Sequence, residues 1–398
     1  MDLYILDSQI RRFEMVEQYK SLIWTERYSA KGDFVLEMDP VLAERELFVK
    51  GSFLACNKSE LVMVIDNVEI ANNDDGERVL KVTGPSLESV LEQRLNSYTK
   101  ILLGQAAIPL TLGPLAPATM IRNMFSDVCV TNTAFSYGSP TVYPERIPFI
   151  QAGVYHSTVG MIAEPSVTPT IQTEVGELYT TIKNIADMYR LGFRLIRPAE
   201  DSKLYFEVYT GFDRTTGQTV NAPVVFSSEF DNLTDTSELT SISGLKNVAY
   251  VFAPNGSRAV YGENIDSTVQ GFDKRVLMVD ANDITLAAGA SLNAALDQRG
   301  LEELAKNRII IGFDGKIAQN SSLVYGVNYG LGDLVEQRDD KGTFNVMRVT
   351  EQIFISDAEG EKSYPTLTLD ALIVAGSWDA VLATKYWDVY NTETWDSM

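Results

Sequence analysis

The sequence predicts a β-rich α+β protein with two antiparallel β-barrel domains, an α+β domain between them and a small helical insertion in the second barrel. Three observations lead to this prediction. Alternating apolar and polar residues recur towards both ends of the chain, one hairpin-like stretch occurs twice, and helical periodicity is concentrated between them. A chain of 398 residues is too long for one compact core, so several domains are expected.

The first predicted barrel covers residues 1–103. Lys20–Ser29 and Phe34–Asp39 alternate in polarity on either side of a turn that contains glycine, as two paired strands do. Val62–Glu77 follows as a long strand that runs into an Asp-Gly dipeptide, which is a strong signal for a hairpin turn. The apolar spacing after Gly84 predicts a helix at the end of this domain.

Residues 104–212 are predicted to form the α+β domain. Eight of the 14 prolines lie between Pro109 and Pro169, and this density favours long ordered loops around one short helix. Apolar residues from Leu178 to Tyr189 then recur at helical spacing, and Gly192 is expected to end that helix. Two strands complete the predicted domain.

The second predicted barrel is split into residues 213–263 and 317–375. Residues 264–316 form the predicted insertion, because they carry the one long helical pattern among the later strands. The remaining residues, 376–398, are treated as a separate C-terminal tail.

The two predicted barrels share a sequence pattern. Val346–Glu361 can be laid on Val62–Glu77 at one constant offset, and in each half a Gly-Asp strand precedes the hairpin. The matched strand and turn residues are Gly32, Asp33, Gly76, Gly332, Asp333 and Gly360. Duplication explains this pattern, but Gly-Asp before a strand is also ordinary turn chemistry, so chance similarity stays open. A duplicated unit in three chains would give six similar units around a ring.

The composition argues against several classes of function. The net charge of −21 and the pI near 4.5 leave no basic stripe for nucleic acid, so any contact with DNA is expected to be weak. His156 is the sole histidine, so a multi-histidine metal site is impossible, and a structural or exposed histidine is the favoured interpretation. Cys56 and Cys129 are expected to be two buried thiols.

No cofactor or metal is predicted. The acidic turns at 73–77 and 357–361 lack the 12-residue ligand loop of a calcium site, so hairpin turns are favoured there. No apolar run reaches 18 residues, which argues against a membrane-spanning helix. The acidic start, Met-Asp-Leu-Tyr, lacks a basic signal region, and synthesis in a host cytoplasm is expected.

Several ordered stretches resemble one protein family. Leu22–Met38 is similar to its N-terminal hairpin, and Glu177–Ile196 to its central helix and following strand. Leu204–Thr215 is similar to its Tyr-x-Gly-x-Asp-Arg-Thr junction, and Leu331–Glu351 to its late Gly-Asp strand and hairpin. The chain therefore resembles the tail-hub, or tail-associated, proteins of long-tailed phages of Gram-positive hosts, which share their architecture with the baseplate hub of contractile phages.

The resemblance implies two tail-tube-like barrels in each chain and a homotrimer that forms a pseudo-six-fold ring at the distal end of the phage tail. The implied partners are the distal tail protein or tail tube, the tape measure protein, and a spike, fibre or receptor-binding protein. DNA would pass only in transit. Many members carry a C-terminal hydrolase, but this sequence stops soon after the second barrel, which favours a structural, non-enzymatic hub with no catalytic residues. A peptidoglycan hydrolase that uses carboxylates and a distal tail or receptor-binding protein remain the alternatives.

The tail contains three Trp-Asp pairs. Trp378, Trp387 and Trp395 are three of the four tryptophans of the chain, and each is followed by an aspartate. Aromatic residues interleaved with acids are typical of docking segments. Two interpretations are open: the tail docks on a neighbouring subunit or another baseplate protein, or it folds back on its own barrel.

Overall fold

The computed structural model describes most of the chain. The described residues are 1–40, 47–72, 76, 78–96, 110–130, 146–151, 153–199, 201–230, 232–262, 265, 267–307, 310–317, 323–338 and 344–369. The predicted β-rich class is confirmed: strands dominate these residues, and three α-helices accompany them.

The strands fall into four groups along the chain. The first group is β1 (Leu3–Leu6), β2 (Arg12–Val16), β3 (Ser21–Arg27), β4 (Asp33–Met38), β5 (Phe53–Cys56), β6 (Met63–Val64), β7 (Asn67–Asn72) and β8 (Arg78–Pro85). The second is β9 (Leu110–Leu112), β10 (Ile150–Gln151), β11 (Ile171–Thr173), β12 (Gly192–Ile196) and β13 (Leu204–Tyr209). The third is β14 (Val225–Ser227), β15 (Leu233–Ser241), β16 (Val248–Ala253), β17 (Gly256–Tyr261) and β18 (Val276–Asp280). The fourth is β19 (Ile310–Ile317), β20 (Leu334–Arg338), β21 (Phe344–Asp357) and β22 (Gly360–Leu369).

The described part of the chain contains few helices. The α-helices are α1 (Pro117–Phe125), α2 (Leu178–Tyr189) and α3 (Ala290–Lys306). The 3-10 helices are Leu87–Gln93, Ser228–Phe230 and Gly271–Asp273, and a π-helical turn, Ser126–Val130, extends α1.

One sheet joins the two halves of the chain. Its strands run in the order β15-β19-β22-β21-β3-β4-β8-β7, and β20 pairs with β21 and with β14 at its side. The junction is the antiparallel pairing of β21 with β3, in which Phe354 lies opposite Trp24 and Ile353 opposite Thr25. Strands more than 300 residues apart are therefore hydrogen-bonded neighbours, and the strands assigned to two barrels share one continuous sheet.

A buried core lies on one face of this sheet. In the N-terminal half, Leu22, Trp24, Phe34 and Leu36 are almost fully buried against a second sheet with strand order β2-β1-β5-β6. These side chains come from alternating positions, as the polarity pattern of the sequence predicts. In the C-terminal half a smaller core forms around Phe226, Tyr329, Val335, Met347, Val349 and Leu367.

The middle domain packs α1 and α2 against the hairpin β12-β13. The apolar face of α2 buries Leu178, Ile182 and Ile185 in the core of this domain. The expected helix stop at Gly192 is wrong. The helix ends at Arg190, which takes the left-handed conformation at φ 55°, and Gly192 already begins β12.

The helix expected after Gly84 also differs from the structure. Strand β8 continues to Pro85, and the following turn is the 3-10 helix Leu87–Gln93. Tertiary contacts explain the tighter turn, because the side chain of Glu88 is buried and accepts a hydrogen bond from the backbone N–H of Leu195 at 2.7 Å.

The region around the predicted insertion forms a small layered unit. Its sheet has the order β17-β16-β18, and α3 covers one face by burying Leu292, Leu296 and Leu304 against it. Strand β16 pairs with β17 on one side and with β18 on the other, and none of the three pairs with the long sheet among the described residues. Helix α3 also contacts α2, where the Gln298 amide lies 3.1 Å from the Tyr189 hydroxyl.

Candidate assembly surface and interdomain cluster

The long sheet has a second face that no core cluster covers among the described residues. Cross-strand register places its side chains in rows: Ile23 lies between Val35 and Ile355, and Thr25 lies between Asp33 and Ile353. The half-buried members of this open face are Ile23, Arg27, Asp33, Val35, Glu37, Lys81, Thr83, Glu351, Ile353, Ile355, Lys362, Tyr364 and Thr366. A continuous sheet with one open face can line a channel or receive a partner.

Charges on the open face are paired in the plane of the sheet. Arg27 donates to Asp33 at 2.5 Å and to Glu351 at 2.6 Å, so one guanidinium connects β4 to β21 across β3. Lys362 lies 3.4 Å from Asp357 at the far end. Because the basic groups are engaged by carboxylates, this face offers little free positive charge to a phosphate backbone.

Three strands of the sheet have one neighbour each within the described structure: β14 pairs only with β20, and the other two end the eight-strand path. Strand β7 pairs only with β8, and β15 pairs only with β19. An unpaired strand edge presents a row of backbone N–H and C=O groups that can pair with another chain. The two edges lie at opposite ends of the eight-strand path, so the sheet can continue in both directions.

The two Gly-Asp motifs occupy different surroundings. Gly332 has φ +87°, and a Cβ there would lie 2.4 Å from the ring of Tyr28. Asp333 is buried and accepts hydrogen bonds from Phe212 N at 2.7 Å and from Arg214 Nε at 2.6 Å. Burial raises the pKa of Asp333, and the bonds from Phe212 and Arg214 oppose that rise.

The first motif lies at the surface of the sheet. Gly32 is required by a close approach, because a Cβ there would come within 2.2 Å of the Thr25 carbonyl oxygen. Asp33 is about half exposed and pairs with Arg27 on the open face. The two motifs thus begin strands in both halves, but only Asp333 is a buried anchor.

The predicted hairpin tips are turns with left-handed glycines. Gly76 has φ +78° between β7 and β8, and Gly360 has φ +119° between β21 and β22. A Cβ would meet nothing within 4 Å at either position, so conformation and not packing selects glycine there. Trp378, Trp387 and Trp395 lie outside the described residues.

His156 lies in a polar cluster between the segment that precedes β6 and strand β13. Its Nε2 is 3.1 Å from a carboxylate oxygen of Glu60, and its Nδ1 is 3.1 Å from Glu207. Glu207 also accepts two hydrogen bonds from Arg194, at 2.9 and 2.7 Å. Glu60 precedes β6 and Glu207 belongs to β13, so one imidazole bridges two parts of the fold.

The carboxylates keep His156 protonated. Hydrogen bonds to Glu207 and Glu60 raise the pKa of His156 to about 9, against the effects of burial and the nearby Arg194 charge. Burial opposes ionisation of Glu207, but His156 and Arg194 outweigh it and lower its pKa to about 2. Each charged group of the cluster is paired with an opposite charge, so its geometry is that of a structural clamp.

Sequence reasoning missed this cluster and the buried pair beside it. Glu26 is buried on the core side of β3, and the Tyr325 hydroxyl donates to it at 2.6 Å. Burial raises the pKa of Glu26. The sequence does contain a signal for this pair: Glu26 is an acidic residue on the same face of the alternating strand as Leu22 and Trp24. The expectation of two buried thiols is confirmed, since Cys56 and Cys129 are free and buried.

Two searches of known proteins give positive results. The family model described as Siphovirus ReqiPepy6 Gp37-like protein matches residues 2–367. Among solved structures, a tail protein from Neisseria meningitidis MC58 aligns with a TM-score of 0.53 and 11% identity, over 94% of this chain and 97% of that one. The 43 kDa tail protein of prophage MuSo2 from Shewanella oneidensis aligns with a TM-score of 0.48 and 12% identity, over 92% of this chain and 97% of that one. No curated protein matches the chain.

The chain thus has the fold of the Neisseria tail protein along almost its whole length. The chain belongs to the siphovirus Gp37-like family. The predicted resemblance to phage tail proteins is confirmed at this level. Within the described residues, no helix is long and apolar enough to cross a membrane.

Proposed function

We propose that this protein is the structural hub of a phage tail tip, acting as a homotrimer that continues or closes the tail tube and opens for DNA at infection. The observation that supports this proposal most is the eight-strand path of the long sheet, which is unpaired at both described ends. Head-to-tail contacts of this kind close into rings when the rotation between copies permits.

Three copies of the path would give a closed barrel of about 24 strands. With roughly 4.8 Å between strands, such a barrel is about 37 Å across before strand tilt widens it. A channel of this width admits a DNA duplex. Closure would also remove the two free edges, which are otherwise a hazard for aggregation.

The open face suits the inside of such a channel. Apart from Tyr364 its residues are small, aliphatic or ion-paired, and Arg27 is already held by Asp33 and Glu351. Few free cations means few phosphate contacts, so DNA would pass without being retained. In this proposal β7 of one copy pairs with β15 of the next, and each chain contributes two similar barrel units.

The proposed position is the distal end of the tail, after synthesis in the host cytoplasm. The expected partners are the distal tail protein or tail tube above the ring, the tape measure protein inside it, and a spike, fibre or receptor-binding protein below. A structural role is also supported by the clamp chemistry of His156, which uses its charges for holding and not for catalysis.

Mass photometry of the purified protein tests the oligomeric state. A trimer of the 44.1 kDa chain has a mass of about three times that value, near 132 kDa. A stable trimer, or a monomer that becomes a trimer when its tail partner is added, agrees with the hub. A hexamer would contradict it and favour a tube or distal tail protein.

A peptidoglycan zymogram tests the proposed absence of enzymatic activity. The pure protein is expected to leave the cell-wall layer intact, with lysozyme as the positive control. Clearing by the pure protein would show that it degrades peptidoglycan and would overturn the purely structural assignment.

A further inference from the structure

The layered unit formed by β16, β17, β18 and α3 is attached to the rest of the described chain in two ways. Its three-stranded sheet is separate from the long sheet, and the chain connects the two through the segments that follow β15 and precede β19. Its helix α3 contacts α2 and β11 of the middle domain. The position of the unit on the middle domain therefore depends on the contact that α3 makes there.

The contact between α3 and α2 contains hydrogen bonds from one glutamine. The side-chain nitrogen of Gln298 donates to the Tyr189 hydroxyl at 3.1 Å and lies 2.9 Å from the Met188 sulfur. The large buried apolar side chains of α3 belong instead to the core of the layered unit, and they are Leu292, Leu296 and Leu304. Because the apolar face of α3 is used within the unit, a buried charge at the contact with α2 weighs heavily.

Glu302 lies on the same face of α3 as Gln298, one turn further along the helix. Helical spacing directs both side chains away from Leu296, which faces the sheet. The Glu302 side chain is nevertheless only 14% exposed, and its charge acts on Tyr189 of α2. The middle domain therefore covers this carboxyl, and release of the unit would return it to water.

The charges around Glu302 include one more acid than base. Arg299 donates to Asp283 at 3.1 and 2.6 Å, and Lys306 donates to Glu303 at 2.7 Å. Glu302 is left with a longer approach of 3.7 Å to the Nε atom of Arg299. Because both bases already hold a carboxylate at hydrogen-bond distance, an ionised Glu302 at this buried contact is only partly compensated.

The elements packed against this face of α3 supply no further ion pair to Glu302 among the described residues. On α2, Lys183 pairs with Asp187 at 2.5 Å, and burial raises the pKa of the Tyr189 hydroxyl, which therefore stays neutral. Strand β11, Ile171–Thr173, has no ionisable side chain. Protonation of Glu302 is thus the remaining way to remove its charge.

We propose that the contact of α3 with α2 is controlled by a proton on Glu302. The layered unit stays on the middle domain while Glu302 is protonated, and it separates as a folded body when Glu302 ionises. The released unit would turn on its two connections to the long sheet. Every contact lies within one chain, so this inference goes beyond the hub function and does not depend on the ring.

The direction of the pH dependence follows from linkage. Burial raises the pKa of Glu302 from 4.5 to about 7, against the opposing effects of Arg299 and Gln298. In the released unit the carboxyl is in water, and its pKa returns to the ordinary value of 4.5. The stabilisation of the docked state is therefore complete below pH 4.5 and is lost as the pH rises through about 7.

Thiol labelling of the full-length protein with Ellman's reagent tests the proposal. Met188→Cys places a thiol in the contact, and Thr180→Cys places one at an exposed position of the same helix. The ratio of the two labelling rates removes the dependence of the reaction on thiolate formation. With pKa values of about 7 docked and 4.5 released, this ratio is expected to rise about 30-fold from pH 5.5 to pH 8.5. The native thiols, Cys56 and Cys129, are buried and give a low background.

Two variants in the Met188→Cys background separate Glu302 from its neighbour. Glu302→Gln keeps the shape of the side chain without its charge, so the rise with pH is expected to disappear. Glu303→Gln is the matched control, because Glu303 is the adjacent acid and is already held by Lys306, and it should keep the rise. Gln298→Cys repeats the measurement from the other side of the contact, in case Met188→Cys weakens it.

Two results would overturn the proposal. The first is a labelling ratio that does not change with pH, or that rises equally in Glu302→Gln. The second is pH-dependent labelling of Ala295→Cys, a position buried in the core between α3 and its sheet. That result would mean that the unit unfolds and does not separate as a folded body.

Discussion

At the scale of single residues, His156 has an effect on stability that can be isolated, because no other histidine titrates in this chain. Its folded pKa of about 9 lies above the ordinary value of 6.5. A raised pKa means that the charged form stabilises the fold. This contribution is complete below pH 6.5 and is lost as the pH rises through about 9.

We therefore expect His156→Gln to be less stable than the wild type by about 1 kcal/mol at pH 6, a value reduced for solvent screening of a partly exposed pair. The difference should disappear by about pH 9.5. Below pH 4.5 the wild type also loses stability, because Glu207 takes up a proton as the pH falls towards its folded pKa of about 2. Urea unfolding of the wild type and the variant at each pH measures the difference in their free energies of unfolding. A difference that does not change with pH would contradict the clamp.

The two Gly-Asp motifs provide a matched pair of substitutions. Asp333→Asn removes the carboxylate charge that pairs with Arg214 and turns an amide N–H towards buried donors, so a loss of about 3 kcal/mol in the free energy of unfolding is expected. Asp33→Asn removes a half-exposed partner of Arg27 and should cost less than about 1 kcal/mol. Chemical denaturation distinguishes them, and equal losses would mean that the two positions are equivalent after all.

At the scale of elements, the free edge of β7 connects local structure to assembly. Successive residues of a strand direct their N–H groups to opposite edges. Of Ala71→Pro and Asn72→Pro, both at exposed positions, one therefore removes a bond to β8 and the other removes a donor from the outer edge.

We expect the outer-edge variant to keep its melting temperature within a few degrees and to lose the oligomer, while the other variant loses stability. Mass photometry combined with thermal melting measures both quantities. If both variants keep the oligomer, β7 is not an edge at which copies meet.

At the scale of the whole molecule, the charge of −21 and the ion-paired open face predict weak retention of DNA. The full assembly should show no retardation of duplex DNA in a gel-shift assay at physiological salt. Lys substitutions at Glu37 and Glu351 together, on the open face, should introduce measurable retention that disappears at high salt. Retention by the wild type would contradict a channel that only passes DNA.

Much of the local structure could be predicted from the sequence. Alternation located β3 and β4, helical spacing located α2 and α3, and the glycines at 76 and 360 located two hairpin tips. The errors fall where tertiary contacts override local preference. The buried Glu88 tightens the helix after β8, and Tyr28 and Tyr209 leave no room for a side chain at Gly192.

The sequence by itself determined the β-rich class and the buried alternating faces, because these depend on periodicity and turn chemistry that are local in the chain. The resemblance to phage tail proteins rests on a different property of the sequence, the ordered stretches from Leu22–Met38 to Leu331–Glu351 that are similar to that family. Only the tertiary structure decided that β21 pairs with β3, that Asp333 is buried while Asp33 is not, and that His156 joins Glu60 to Glu207. Strand partners more than 300 residues apart are selected by the packing of the whole core, and no local pattern specifies that choice.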